Sequence, residues 1–115
     1  MEEFMNEERN ILLASDRGIS IRSFDDISDA LGACSGAEGL LLTEEELSSE
    51  FFDLRTGLAG ELFQKFTNYR LRLAIVVADP GSHGERFGDL AHEHLSHNLI
   101  RFFRSIDAAS RWLRA

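Results

Sequence analysis

Four histidines are the residues with the widest chemical range in this sequence, and three of them, His92, His94 and His97, fall within six positions. Imidazoles at that density suggest a metal first. A helix turns ~100° per residue, so His92 and His94 would point about 160° apart, with His94 on the apolar side beside Phe87 and Leu90. Only Glu93 and His97, four apart, could then share an ion, and two ligands on an exposed turn make a weak site. Neither an HExxH spacing nor a cysteine partner accompanies them. The expectation is no metal and no cofactor. The fourth histidine stands in Asp79-Pro80-Gly81-Ser82-His83-Gly84, just past the longest apolar run of the chain. Open α/β sheets bind ligands beyond the carboxyl ends of their strands, and glycines let backbone approach an anion closely. Asp79, Gly81, Ser82 and His83 therefore form a candidate ligand loop. The pattern is neither a Walker loop nor GxGxxG, so a plain crossover is the alternative. Asp79, Ser82 and His83 stand too close in sequence to be read as a triad. With no paired carboxylates and no activated nucleophile, the expectation is a non-enzymatic protein.

Hydrophobic periodicity sets out the elements that must position these groups. Residues 11–15 and 19–24 flank Asp16-Arg17-Gly18 and read as a β-hairpin. Asp25 and Asp26 open a helix whose stripe is Ile27, Ala30, Leu31 and Cys34. This makes Cys34 a small core residue, with no His or Lys beside it to activate the thiol. Residues 39–43 form a wholly apolar strand, followed by an acidic connection over residues 44–53. Leu54, Leu58, Leu62 and Phe66, with Ala59 and Phe63, trace the next helix, which ends near Asn68. Residues 71–78 are the clearest strand and read as interior. Phe87, Leu90, Ala91, His94 and Leu95 mark a third helix, and 99–103 a last strand. Ser105 caps a final helix that turns Ile106, Ala109, Trp112 and Leu113 inward. The order is β-β-α-β-α-β-α-β-α, which implies an α/β domain with a mixed, mostly parallel sheet of about five strands packed with four helices. The hairpin would supply the antiparallel edge. Residues 1–10 read as a flexible tail and residues 11–115 as one domain.

Composition narrows the partners. The 115 residues are 43% hydrophobic and 28% charged, with a net charge of −8, which argues against nucleic acid as a partner. Residues 1–64 carry four basic and fifteen acidic residues, residues 65–115 eight basic and five acidic. Such asymmetry either steers a partner or a second copy, or is solvated surface that intermixes in the fold. The run Leu73–Ala78 is too short to span a membrane. The acidic start and the lone Cys34 lead to a cytoplasmic expectation.

The element order, the central Arg72-Leu73-Ala74-Ile75-Val76-Val77-Ala78-Asp79 and the closing stretch from Ile100 to Leu113, with its Ala108-Ala109…Trp112-Leu113 ending, resemble STAS domains. These have the anti-anti-sigma-factor-like fold. A denser likeness runs from Glu50-Phe51-Phe52-Asp53-Leu54-Arg55-Thr56-Gly57-Leu58-Ala59-Gly60-Glu61 through Gln64-Lys65-Phe66, Asn68-Tyr69-Arg70 and Ala74-Ile75-Val76. It is similar to the bacterial Domain of Unknown Function 4180 family, which has no assigned function. The STAS resemblance implies a regulatory Ser or Thr before a glycine at the start of the second helix, where Thr56-Gly57 stands. Asp53 lies one position further back than the family's usual Asp. A phosphoryl group there would sit on free backbone N–H groups and the positive helix end; the alternative is that Thr56 only caps the helix.

Phe51-Phe52 is the apolar feature hardest to place, since adjacent aromatics in an acidic connection do not easily face one core. They either cover a pocket, join a subunit interface or tuck under the second helix. With nine Phe to place, Phe51, Phe52 and one of Phe102 and Phe103 come out surplus, which leads to a homodimer expectation. The functional expectation is a regulatory or protein-interaction domain, with a phosphoswitch at the start of the second helix and no known protein partner. The alternative is a small-molecule or lipid-binding module with an apolar pocket beside Phe51 and Phe52, taking a small apolar ligand without membrane insertion.

Overall fold

The computed structural model describes residues 10–115, so the expected tail lies, apart from Asn10, outside the described residues. Four apolar runs become strands: β1 Ile11–Leu13, β2 Gly39–Thr43, β3 Arg72–Val76 and β4 Ile100–Phe103. Among the described residues they make one sheet in chain order, β1-β2-β3-β4, with every neighbouring pair parallel. β3 is interior, as its unbroken apolar sequence demands. Among the described residues six α-helices accompany the sheet: α1 Ala14–Arg17, α2 Phe24–Ala33, α3 Ser49–Phe52, α4 Leu58–Asn68, α5 Glu85–Glu93 and α6 Ile106–Arg114.

The expected hairpin over residues 11–24 is absent, so among the described residues the sheet is neither mixed nor five-stranded. Ala14–Arg17 is one helical turn closed by Gly18 at φ 67°. A left-handed glycine serves a hairpin turn and a helix C-terminus equally well, which is why Asp16-Arg17-Gly18 misleads. Residues 19–24 touch extended structure only through an isolated parallel bridge from Ile21 to Leu47, and β2 takes the ladder beside β1. Ile21 is fully buried, so that segment's single deep apolar residue is satisfied without a strand. The two helices beyond the expected four, α1 and α3, are single turns inside the misread hairpin and the acidic connection.

A parallel sheet in chain order, with crossovers of one hand, places its connecting helices on one face. Here α2, α4 and α5 bury Ile27, Ala30, Leu58, Leu62, Phe66 and Phe87 against Leu40, Leu42, Leu73 and Ile75. The opposite face is covered by α6, whose Ala109 and Leu113 pack on Leu41 and Ala74. The approach is close at Gly39, where a Cβ would stand 2.9 Å from a Leu113 methyl. The α2 start is fixed by a capping box: the Asp26 carboxylate accepts from the Arg22 and Ser23 N–H groups at 2.8 and 3.1 Å. Ser105 caps α6 as expected, accepting from the Ala108 N–H at 3.2 Å. Two expected core residues face outward. α5 ends at Glu93, which leaves Leu95 57% exposed, and Ile106, the first residue of α6, is 48% exposed.

Candidate functional site

The connections that leave the carboxyl ends of β2 and β3 meet above the sheet. The first begins with Thr43-Glu44-Glu45-Glu46, a 3-10 turn over Glu44–Glu46. Glu46 is the buried charged residue of this region, and its carboxylate accepts from the Thr43 N–H at 2.7 Å and the Thr43 hydroxyl at 3.0 Å. α3 follows. Consecutive helical residues project ~100° apart, which separates the two aromatics. Phe51 is fully buried, edge-on to Phe63 and Phe87, while Phe52 reaches the surface of the cleft above. The expectation that Phe51 lines a pocket or interface is therefore corrected: it is core.

The same connection ends in a 3-10 turn over Leu54–Thr56, capped by Asp53, which accepts from the Arg55 N–H at 3.1 Å. The Arg55 side chain also grips Asp53, with both nitrogen–oxygen distances 3.0 Å, and this hydrogen bonding holds the Asp53 carboxyl below the usual carboxylate range. Thr56 sits half-buried. Its hydroxyl oxygen lies 2.8 Å from the Glu50 carbonyl and 2.9 Å from the Asp53 carbonyl, and accepts from the Leu58 N–H at 3.2 Å. One hydroxyl hydrogen thus serves two carbonyls. Gly57 then turns the chain into α4 at φ 82°, a conformation only glycine adopts readily.

The second connection is a 3-10 turn over Pro80–His83. Ser82 is spent locally: its hydroxyl and its N–H both donate to the Asp79 carbonyl, at 2.7 and 3.0 Å. Of the four loop residues, His83 and Gly81 line different clefts. His83 turns toward the first connection and pairs with Glu44, Nε2 to Oε2, at 2.7 Å. The other Glu44 oxygen accepts from the Ala78 N–H at 3.3 Å. Phe52 stacks on the His83 ring at 3.7 Å with planes 7° apart, and Phe87 closes its edge. The Glu44 carboxylate accepts there, so Nε2 carries a hydrogen and donates it. The result is a cleft of about 710 Å³, with Phe52 and His83 on its wall and Ser49, Asp53, Arg55 and Arg86 around it. Glu44 and Arg86 were not singled out from sequence. The readable signal for Glu44 was its place directly after an apolar strand.

A second cleft of about 510 Å³ lies on the other side of the Pro80–His83 turn, between α5 and β4. Gly81 and Gly88 make this joint close: a Cβ on Gly88 would stand 3.4 Å from the Gly81 Cα.

The histidine cluster has a different role from the one its spacing suggests. The helix stops before His94, so helical angles do not apply to His97, and the His94 and His97 rings lie 5.1 Å apart. His94 Nδ1 lies 2.9 Å from the Leu90 carbonyl, so it carries the hydrogen and donates. His97 Nδ1 accepts from the Leu99 and Ile100 N–H groups, both at 3.1 Å, and must be unprotonated. Burial, then His94 and Arg101, hold the His97 pKa below its ordinary value. Among the described residues no three His, Cys, Asp or Glu side chains converge as a metal set. Cys34 is 2% exposed and its thiol pKa is pushed up by burial, against a smaller opposing effect of Arg17, in keeping with a core role.

The model of the domain of unknown function DUF4180 matches residues 6–113 of the chain. Neither a curated protein nor a solved structure matches it. Among the described residues no helix is long and apolar enough to cross a membrane.

Proposed function

The chain belongs to the DUF4180 family, a family with no assigned function, and we propose that it is a non-enzymatic regulatory domain. It recognises its partner at the cleft beyond β2 and β3 and is switched through Thr56. The observation that carries this reading is the bonding of the Thr56 hydroxyl to the Glu50 and Asp53 carbonyls. Those carbonyls bracket the segment that carries Phe52, so one modifiable oxygen holds the cleft wall in place. Phosphorylation removes the hydrogen that both carbonyls share and adds about two negative charges beside Asp53. Arg55, two residues from Asp53 and one from Thr56, is placed to exchange the carboxylate for the phosphate. Release of the Glu50–Asp53 segment then frees Phe52 from His83.

A STAS-like fold is part of the proposal. It is supported by strand–helix alternation on a parallel sheet and by the closing β4–α6 unit, whereas the antiparallel hairpin is missing. The cytoplasmic reading rests on the single buried Cys34. A homodimer formed through the surplus aromatics would use Phe52 or Phe103, both half-buried. Phe51 is core and Phe102 is 5% exposed. The small-molecule reading with a pocket beside Phe51 and Phe52 is supported at Phe52 alone.

The test is intact-mass and peptide mass spectrometry of the protein isolated from cells that make it naturally. A phosphate on Thr56 in a fraction of molecules is expected. Unmodified Thr56 under every growth condition sampled would overturn the switch.

A further inference from the structure

The second cleft has a chemistry of its own. Val77, Pro80, Ala91, Leu95 and Phe102 give it an apolar body, and Arg104 stands at its mouth. His92 is its other titratable lining residue, and no carboxylate lines it among the described residues. That is notable in a chain of net charge −8. Arg104 donates one bond, Nη1 to the Ala78 carbonyl at 3.0 Å, which fixes the guanidinium at the rim and leaves its other N–H groups for a ligand. Leu95 at 57% exposure has no counterpart packed over it. β4 is the last strand of the sheet among the described residues.

We propose that this cleft binds a free single-chain monocarboxylate, its hydrocarbon part between α5 and β4 and its carboxylate on Arg104. The sign of the rim selects the head group, because an Arg fork matches a carboxylate and repels an ammonium. The apolar lining selects the tail, since burying each CH₂ strengthens binding by about three- to fourfold. The inference is independent of the Thr56 switch, which acts on the other side of the Pro80–His83 turn.

The experiment is titration of the ¹⁵N-labelled chain with hexanoate, octanoate, octylammonium and phosphatidylglycerol vesicles, followed residue by residue. Octanoate should give saturable shifts at Gly81, Gly88, Ala91 and Leu95, and bind roughly tenfold more tightly than hexanoate for its two extra CH₂ groups. Arg104→Gln should weaken octanoate about tenfold and Arg104→Lys much less. Leu95→Ser, at an exposed position, should weaken it several-fold with the spectrum otherwise unchanged. Octylammonium binding as well as octanoate, equal affinity in Arg104→Gln, shifts confined to other surfaces, or vesicle binding without saturable octanoate binding would each overturn the proposal.

Discussion

The cleft walled by Phe52 and His83 and the cleft walled by Ala91 and Phe102 share the Pro80–His83 turn, yet they differ in almost every lining group. Both lie where a parallel sheet leaves its strand ends, a position set by topology. Their chemistry comes from what each gap receives. The gap between β2 and β3 is filled by the long connection from Glu44 to Gly57, which brings a carboxylate for His83, an aromatic to stack on it and an Arg–Asp pair. The gap beside β4 receives no such connection among the described residues, and its lining is the apolar faces of α5 and β4 with one Arg at the rim. One site is an arrangement of polar side chains held by a loop. The other is sheet and helix left partly uncovered.

The largest effect that separates the two regions comes from adjacent residues. Phe51→Ala should cost about 3–5 kcal/mol, because it empties a fully buried position shared by α3, α4 and α5. Phe52→Ala should cost only about 1–2 kcal/mol, through loss of its ring contacts with His83 and Phe87. Urea unfolding midpoints of the two variants check this, and equal losses would mean that Phe52 is core as well.

That contrast also marks what sequence could disclose. The apolar runs that became β2, β3 and β4, and the stripes of α2, α4 and α6, were legible because burial on a periodic element leaves a periodic trace. Phe51-Phe52 was legible as a pair, but its division between core and cleft depends on the single turn of α3. Glu44 was hidden among Glu45 and Glu46, since what distinguishes it is a histidine 39 residues away. Residues 19–24 carried strand-like alternation, and only the buried Ile21 mattered.

A smaller effect concerns the start of β4, the strand whose far end borders the second cleft. His97 Nδ1 holds the first N–H groups of β4 as a neutral acceptor, and its folded pKa lies below the ordinary 6.5. On acidification the unfolded chain therefore takes up this proton first. The stabilisation is complete above pH 6.5 and is lost as pH falls through the lower folded pKa. Denaturation midpoints at pH 7.5 and pH 5 should fall more for the native chain than for His97→Asn, which offers an oxygen in place of Nδ1 and does not titrate. Identical pH profiles would remove His97 from the account of the β4 edge.

The claim at the centre is that Thr56 governs the wall of the first cleft. It is tested most directly by the imidazole resonances of His83 in the native chain, Thr56→Ser and Thr56→Glu. The native chain and Thr56→Ser, which keeps the hydroxyl, should share one set of signals, with the proton on Nε2 and the ring shifts of a stacked Phe52. Thr56→Glu should lose the stacking shifts while its helix and core signals stay in place. A Thr56→Glu spectrum with His83 unchanged would contradict the account.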